Sequence, residues 1–333
     1  MILLHSAFAD ATCEREDFMS KKTQGGYHEP VLMHEVLEAL QPAPGKVFVD
    51  GTLGGGGHTE ALLKAGARVV GIDQDTDALK FATERLAAYG EQFRPVQANY
   101  SEIVDVLKKL GLDKIDGALL DLGVSSHQLD TPERGFSFQH DGPLDMRMNP
   151  DGAVTSAALV NTASEEQLTR IFREYGEEPA ARRIASRLTR DRMVVPFTRT
   201  LQLADAIAEI VPRKGRAHPA TRVFQALRIA VNRELEVLKN GLAAFTACLA
   251  PNARLGVITF HSLEDRIVKT YFKERAVEWL DRPEWPAPRK NPDYLFRLIN
   301  RRAQIAGEVE QETNPRSRSA KFRAVERLPY GHI

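Results

Sequence analysis

The first part of the chain alternates short apolar segments with helix-forming segments, and this alternation restricts the fold more than any other feature. The apolar segments cover residues 47–50, 68–73, 93–98 and 115–122. Helix-forming stretches follow each of them, so that one strand succeeds another about every 20–25 residues. Parallel strands need such crossover helices. The pattern therefore predicts an α/β fold, with a doubly wound, mostly parallel sheet covered by helices on both faces.

The alternation stops after residue 133, where a loop rich in Gly, Pro and Asp begins. Beyond this loop we predict helices near 164–175, 178–192 and 200–210, one long helix at 221–249, a buried strand at 254–260, a helix at 262–278 and a last strand near 322–328. These elements predict an α/β domain formed by residues 27–133 and 222–333. An all-helical, substrate-recognition insertion would occupy residues 134–221.

The N-terminal segment 1–26 is polar and irregular, and we expect it to be disordered. Residues 1–18 resemble an extension from an upstream start codon, because Met19 and the two lysines after it resemble a second start. No apolar run in the chain approaches the roughly 20 residues needed to cross a bilayer. The two cysteines are too few for a disulfide framework, so a cytoplasmic location is expected.

Charge is distributed unevenly along the chain, although 45 basic and 45 acidic residues cancel. Residues 1–169 contain 14 basic and 26 acidic side chains, whereas residues 170–333 contain 31 and 19, which gives net charges of −12 and +12. The basic surplus is concentrated in 170–233 and 282–327, where most cations are Arg. Any single Arg can be explained as part of a solvated surface. The net positive charge of residues 170–333 as a whole, however, favours a polyanionic partner.

Four consecutive glycines lie between the first strand and its helix, where open α/β sheets bind ligands. A turn needs fewer glycines, so we expect the backbone to approach a ligand closely. His58 and Thr59 stand where a P-loop requires Lys followed by Ser or Thr, which excludes that type of ATP site. The dinucleotide fingerprint would need glycine at Thr59, which disfavours a nicotinamide-linked oxidoreductase.

Acidic residues follow three of the predicted strands, at Asp50, Asp73 and Asp121. Asp73 can accept hydrogen bonds from both hydroxyls of a ribose. Asp50 and Asp121 suit a cationic ligand rather than a pyrophosphate, since the glycine loop contains no Lys or Arg. S-adenosylmethionine, which carries a sulfonium and an α-ammonium group, meets this description.

Six motifs resemble the bacterial 16S rRNA cytosine-N4 methyltransferases of the MraW (RsmH) family. They are Asp50–His58 (DGTLGGGGH), Asp121–Asp130 (DLGVSSHQLD), Glu133–Phe138 (ERGFSF), Asp141–Met148 (DGPLDMRM), His218–Ala226 (HPATRVFQA) and Phe260–Lys269 (FHSLEDRIVK). The resemblance spans about His28 to Arg327. It implies a Rossmann-like S-adenosylmethionine-dependent methyltransferase fold with an inserted helical domain. It also implies that the substrate is a decoding-centre cytidine of 16S rRNA within the small ribosomal subunit.

The resemblance also assigns residues to the cofactor pocket, where Tyr100 would flank the adenine. The pocket residues it implies are Gly56, Gly57, His58, Asp73, Tyr100, Asp121 and Gln128. The attacking N4 is a poor nucleophile, because its lone pair is delocalised into the pyrimidine ring. Its attack on the methyl group is an in-line displacement that depends on proximity and alignment and needs no metal ion, so no metal site is predicted.

Asp121 and His261 are the candidate catalytic residues. Asp121 either accepts the N4 proton or only holds the cofactor, and His261 ends the predicted strand 254–260. For His261 and its neighbours the structural alternative is a cap at Ser262 with surface pairing by Glu264 and Arg266. Candidate contacts to the RNA are Arg134, Phe136, Arg147, Arg182, Arg183 and Arg266. For Phe136 the alternative is packing in the core.

Two other function classes stay open at this point. One is the nicotinamide-linked oxidoreductase, which a comparison of NAD and S-adenosylmethionine binding would identify. The other is an RNA-binding assembly factor with a vestigial methyltransferase pocket, which would transfer no methyl group to ribosomal subunits. The sequence is compatible with a monomer or a homodimer, and it predicts no membrane partner.

Overall fold

The computed structural model describes residues 30–213 and 218–329. The predicted disordered segment 1–26 lies outside these ranges. The strands are β1 (Val47–Asp50), β2 (Arg68–Asp73), β3 (Phe93–Gln97), β4 (Ile115–Asp121), β5 (Leu249–Thr259), β6 (Trp279–Leu280), β7 (Arg289–Lys290), β8 (Phe296–Leu298) and β9 (Lys321–Arg327). Seven of them form one sheet in the order β3-β2-β1-β4-β5-β9-β8, and β6 pairs with β7 in a separate antiparallel ribbon.

The sheet is parallel from β1 to β5, and β9 runs antiparallel to both β5 and β8. This arrangement confirms the predicted Rossmann-like, mostly parallel α/β fold. The chain moves outward from β1 to β3 and then returns to place β4 beside β1. The direction of winding therefore reverses between β1 and β4, and open α/β sheets bind ligands at the carboxyl end of such a reversal.

The described residues form thirteen α-helices. They are α1 (Met33–Leu40), α2 (Gly57–Lys64), α3 (Thr76–Arg85), α4 (Ile103–Lys109), α5 (Ser126–Asp130), α6 (Ser156–Thr162), α7 (Glu165–Glu174), α8 (Ala181–Asp191), α9 (Thr200–Ala208), α10 (Thr221–Asn232), α11 (Glu234–Cys248), α12 (Ser262–Arg275) and α13 (Glu308–Thr313). Helices α1 to α3 bury Leu40 and Leu62 against one face, and α4, α11 and α12 bury Phe245 and Phe272 against the other. Within the described ranges, none of the helices combines the length and apolar character needed to span a membrane.

A second hydrophobic core, the helical core, is formed by the loop at 136–148 together with α6 to α10. Its buried side chains include Met146, Phe172, Leu188 and Leu203. Helix α10 contributes Phe224 to the same core. Since α10 packs with α6 and α7, we propose that the helical insertion ends near residue 233 rather than at residue 221.

The single helix predicted at 221–249 is wrong, because the chain breaks at Arg233 between α10 and α11. Arg233 adopts a left-handed conformation with φ of 51°. The break is held by Asn232, whose Nδ2 donates to the carbonyl of Met146 at 2.8 Å and whose Oδ1 accepts from the amide of Met148 at 2.8 Å. It directs Arg228 and Glu234, on either side of it, towards the carboxyl edge of the sheet. The short elements α5, α6, α13, β6, β7 and β8 were not predicted from the sequence.

Candidate functional site

A cavity of about 380 Å³ lies at the carboxyl ends of the central strands. The loops after β1 to β5, the start of α11 and the segment 314–319 form its walls. The predicted site residues on these walls are Gly57, His58, Asp73, Tyr100, Asp121 and Gln128. The other predicted site residues, which include Gly56, His261 and all six RNA contacts, do not line this cavity.

Two of the glycines in the loop have backbone conformations that favour glycine, and close packing leaves no room for a side chain at Gly56 or Gly57. Gly54 and Gly56 have φ of 50° and 76°, a region that only glycine adopts readily. A Cβ on Gly56 would lie 3.0 Å from Cδ1 of Leu86, and one on Gly57 would lie 2.3 Å from Cγ of Pro30. A side chain at Gly56 would therefore point at Leu86 and α3, whereas the role of Gly56 as a cofactor contact stays a prediction.

Asp50 lies beneath the glycine loop and holds its shape. Its Oδ2 accepts a hydrogen bond from Thr59 Oγ1 at 2.7 Å, and its Oδ1 accepts one from the amide of Thr52 at 3.2 Å. Burial raises the pKa of Asp50 to about 6 despite these two bonds. Asp50 does not line the cavity, so its influence on a ligand is electrostatic only.

Asp121, at the end of β4, has the most unusual environment in the site. Its Oδ1 is buried without a hydrogen-bond partner among the described residues, and its Oδ2 lies 3.6 Å from Nδ1 of His58. Burial, and then the charges of Asp50 and Glu264, raise the pKa of Asp121 well above its usual range. A buried oxygen of this kind is costly unless a cation or a hydrogen-bond donor reaches it.

His58 cannot supply that cation. Its Nε2 lies 3.0 Å from the carbonyl oxygen of Val31, so Nε2 carries the proton and Nδ1 presents a lone pair to Asp121. Burial also lowers the pKa of His58 to about 4. The ring is therefore neutral near pH 7, and Asp121 is left for a ligand.

Asp73 is the last residue of β2, and its carboxylate contacts the glycine loop. Its carboxylate accepts the amides of Gly54 at 2.8 Å and Asp75 at 2.9 Å, which joins the first two loops of the sheet. Burial raises its pKa to about 6. These two bonds leave further lone pairs on a carboxylate that lines the cavity.

Tyr100 and Gln128 complete this side of the cavity. The Tyr100 ring packs on α11, where a Cβ on Gly241 would lie only 2.5 Å from its Cε2. Gln128 Nε2 donates to Asp75 Oδ2 at 2.7 Å, and its Oε1 accepts from the amide of Ser125 at 3.0 Å. Gln128 thus fixes the loop after β4 to the loop after β2.

His261 and Glu264 cap α12 at the end of β5. His261 Nδ1 accepts from the amide of Glu264 at 3.5 Å, and Glu264 Oε2 accepts from the amide of Phe260 at 2.9 Å. Glu264 is buried and lines the cavity, and the cap is His261 rather than Ser262, so only the surface pairing of Arg266 is found from the structural alternative. Burial opposes its charge, but His261, Arg228 and the Phe260 amide outweigh burial and lower the pKa of Glu264.

Glu234, His261 and Glu264 place possible metal ligands within 4.8 Å of one another. Arg228, however, binds both carboxylate oxygens of Glu234 at 2.8 Å, and Nδ1 of His261 is occupied by the cap. Because Arg228 neutralises Glu234 and Nε2 of His261 lies 3.2 Å from Oε1 of Glu264, we assign no metal ion to the cluster and describe it as a buried charge network. Sequence reasoning missed Arg228 and Glu234, although Arg228 interrupts an otherwise apolar run and could have been noticed.

Three of the predicted RNA contacts have structural roles instead. Arg134 donates to Asp75 Oδ2 at 2.7 Å and to the carbonyls of Arg147 and Met148 at 3.0 Å. Arg147 binds both oxygens of Asp145 at 2.8 and 2.7 Å. Phe136 is buried in the helical core. These contacts give Arg134, Phe136 and Arg147 roles inside the protein, and their contact with the RNA stays a prediction.

The remaining three predicted RNA contacts are exposed. Arg182 and Arg183 lie on the outer side of α8, and Arg183 donates to the carbonyl of Ile210 at 2.9 Å. Arg266 is 68% exposed and lies 3.5 Å from a carboxylate oxygen of Glu177. All three are accessible to a large partner.

Comparisons with known proteins show the family of this chain. The model of the MraW methylase family matches residues 26–328. The ribosomal RNA small subunit methyltransferase H of Geobacter sulfurreducens is 53% identical over 90% of this chain and 99% of its own, and that of Carboxydothermus hydrogenoformans is 50% identical over 91% and 98%. A solved putative methyltransferase from Streptococcus mutans, in complex with SAH, covers 89% of the chain with a TM-score of 0.42 and 12% identity. On the family match and these two relatives, the chain belongs to the MraW methylase family.

Proposed function

We propose that this protein uses S-adenosylmethionine to methylate the exocyclic N4 of a decoding-centre cytidine in 16S rRNA. Its family and the names of its relatives support a methyltransferase for the RNA of the small ribosomal subunit. The motif resemblance supplies the finer assignment to cytidine N4 and to the decoding centre. The structural observation that carries the proposal is Asp121, which lines the cavity at the end of β4 and whose buried Oδ1 has no hydrogen-bond partner among the described residues. The cytoplasm, where ribosomes are assembled, is its proposed location.

The cavity offers groups suited to each part of S-adenosylmethionine. The Asp73 carboxylate accepts ribose hydroxyls, the Tyr100 ring offers a flat face to the adenine, and Asp121 offers an anion to the cationic end. S-adenosylmethionine, when bound, supplies a methyl group activated by the positive sulfur. The protein holds and orients the reactants and excludes water from them, and this accounts for most of the rate in a displacement that needs no metal ion.

The side of the cavity formed by β5 and α11 offers the groups suited to an exocyclic amine. Glu264, on α12, and Asp121, at the end of β4, both line the cavity here. Asp121 is the stronger base, because its pKa is raised whereas that of Glu264 is lowered. We therefore assign Asp121 as the acceptor of the N4 proton. His261 does not line the cavity, and we assign it as a positioning residue that holds Glu264 through the cap of α12. A paired base could not reach this wall, so the target cytidine must be unstacked first.

The direct test is methyl transfer to small ribosomal subunits that lack the modification. With isotopically labelled S-adenosylmethionine, the purified protein is expected to form N4-methylcytidine, identified by mass spectrometry of the digested RNA. A methyl group found on another atom or nucleotide would overturn the assignment to N4. Binding of the cofactor without transfer to any subunit would favour the assembly factor, and preferential binding of NAD would favour the oxidoreductase.

Replacing Asp73 by Ala should weaken S-adenosylmethionine binding by roughly 1–3 kcal/mol, because hydrogen bonds from the ribose to a charged acceptor are lost. Asp73→Asn keeps one acceptor oxygen and should lose less. Titration calorimetry measures both, with Asp105→Ala on the exposed side of α4 as a control that should bind normally. Unchanged affinity in a folded Asp73→Ala protein would remove Asp73 from the site.

Affinity for S-adenosylmethionine should rise as the pH is raised from about 5 to about 8. Burial raises the pKa of Asp73 to about 6, so Asp73 is largely protonated at the lower pH, and burial also raises the pKa of Asp121 well above its usual range. A cationic ligand prefers the ionised carboxylates, and its binding should therefore release protons. Calorimetry in buffers of different ionisation enthalpy measures this release. A flat pH dependence would contradict the assigned roles, and Asp121→Asn should reduce the dependence.

The salt dependence of RNA binding tests the basic half of the chain. Phosphate contacts release counterions, so affinity for the subunit should fall steeply as salt increases, whereas cofactor affinity should change little. Replacing Arg182 and Arg183 by Gln should flatten the slope by up to about two units. Titrations at several salt concentrations measure the slope, with Arg94→Gln on the exposed side of β3 as a control. An unaltered slope would mean that both arginines belong to a solvated helical surface and contact no phosphate.

A further inference from the structure

The turn between α8 and α9 exposes three consecutive apolar side chains, and we call residues 193–196 the apolar turn. Met193, Val194 and Val195 are 82%, 83% and 57% exposed, and the first two exceed every other large apolar residue that the structure describes. Single exposed apolar residues are ordinary, but a contiguous group marks a surface that binds something.

The apolar turn is rigid, since hydrogen bonds hold it at both ends. Before it, Arg192 Nη1 donates to the carbonyls of Val160 at 2.7 Å and Ala163 at 2.6 Å. After it, the side chain of Asn161 binds both the amide and the carbonyl of Phe197, at 2.9 and 2.7 Å. Because the turn is already ordered, docking it onto a partner costs little conformational entropy.

The helix that leads into the apolar turn presents cations. Arg182, Arg183 and Arg190 lie on the exposed side of α8, and Arg190 is 73% exposed. Cations beside a small apolar projection fit a nucleic acid, because arginines bind phosphates while apolar side chains pack against or between bases. A hydrophobic protein surface would have no use for this concentration of arginines.

We propose that the apolar turn is an RNA-docking element, in which Met193, Val194 and Val195 pack against unpaired bases of the rRNA substrate. Arg190, next to the turn, and Arg182 and Arg183, at the other end of α8, would bind phosphates along one side of it. The inference rests on the proposed function, since it requires an RNA substrate. It adds a contact that lies outside the catalytic cavity and does not depend on charge.

The test is a triple variant, Met193→Ser with Val194→Ser and Val195→Ser. Its KM for small subunits should rise about tenfold, with kcat, cofactor affinity and the salt slope of RNA binding unchanged, because apolar contacts release no counterions. The unchanged slope distinguishes the triple variant from Arg182→Gln combined with Arg183→Gln, which should flatten the slope. Val104→Ser, at a position 48% exposed on α4, is the matched control and should behave as the wild type.

The identity of the partner is tested by a photo-crosslinking amino acid placed at position 194. Crosslinks to 16S rRNA would support the inference, whereas crosslinks only to a ribosomal protein would overturn it. An unchanged KM in the triple variant would also overturn it. If the wild type transfers no methyl group to any subunit, the proposed function fails. If it does and the triple variant matches it, only the docking element fails.

Discussion

Replacing Asp121 by Asn is expected to slow methyl transfer by about 10²–10⁴-fold with little change in the fold. The substitution keeps the shape of the side chain but removes the charge and the proton acceptor. Because Oδ1 of Asp121 has no hydrogen-bond partner in the described structure, the change disrupts no bond of that oxygen within the protein. Single-turnover measurements with saturating RNA and cofactor report the chemical step separately from binding.

Asp116→Asn is the matched control, because Asp116 lies near the start of the same strand and pairs with Lys46 at 2.8 Å. It should leave the rate unchanged. If Asp121→Asn lowers only cofactor affinity and transfers methyl at the normal rate once saturated, Asp121 holds the cofactor and is not the proton acceptor. A normal rate together with normal affinity would remove Asp121 from the site.

The parallel sheet could be predicted because its physical requirements are local. Strands buried on both faces must be apolar throughout, and β2 and β4 satisfy this with buried runs that end in an acid at residues 73 and 121. The ends of such strands meet at one edge, so the position of the cavity followed from the same pattern. The last strand was also predictable, within one residue of β9.

The other half of the cavity depends on tertiary contacts that leave little trace in the sequence. The break at Arg233 requires a left-handed residue between two stretches that both favour helix, and it is held by Asn232 bonded to a loop more than 80 residues away. In one continuous helix, Arg228 and Glu234 would be six residues apart and would not face each other. Their pairing on the cavity wall follows only from the break.

Arginine roles were the least predictable part of the site. Arg134 and Arg182 look alike in the sequence, yet Arg134 is 12% exposed and bonded to two loops, whereas Arg182 is exposed on α8. Composition predicts that arginines face a polyanion, but it does not tell which of them the fold uses internally.

Arg134→Met should destabilise the protein by about 3–5 kcal/mol, because it leaves the carboxylate of Asp75 buried without its main counter-ion. Asp75 is 2% exposed, and after the substitution only Gln128 Nε2 and the amide of Asp77 would bind it. The carbonyls of Arg147 and Met148 would also lose their donor. Chemical denaturation, followed by circular dichroism, measures the change in the free energy of unfolding.

Arg199→Met is the control, because Arg199 also pairs with an aspartate at 2.8 Å, but both partners are substantially exposed. Exposed pairs contribute little, so Arg199→Met should unfold close to the wild type. Equal stabilities of the Arg134 and Arg199 variants would mean that water reaches Asp75 and replaces the lost guanidinium. A large loss at Arg134 alone would mean that this arginine connects the cofactor loops to the helical core. We would then attribute an effect of Arg134 variants on RNA methylation to the position of those loops, since the guanidinium is bonded to Asp75 and to the carbonyls of Arg147 and Met148.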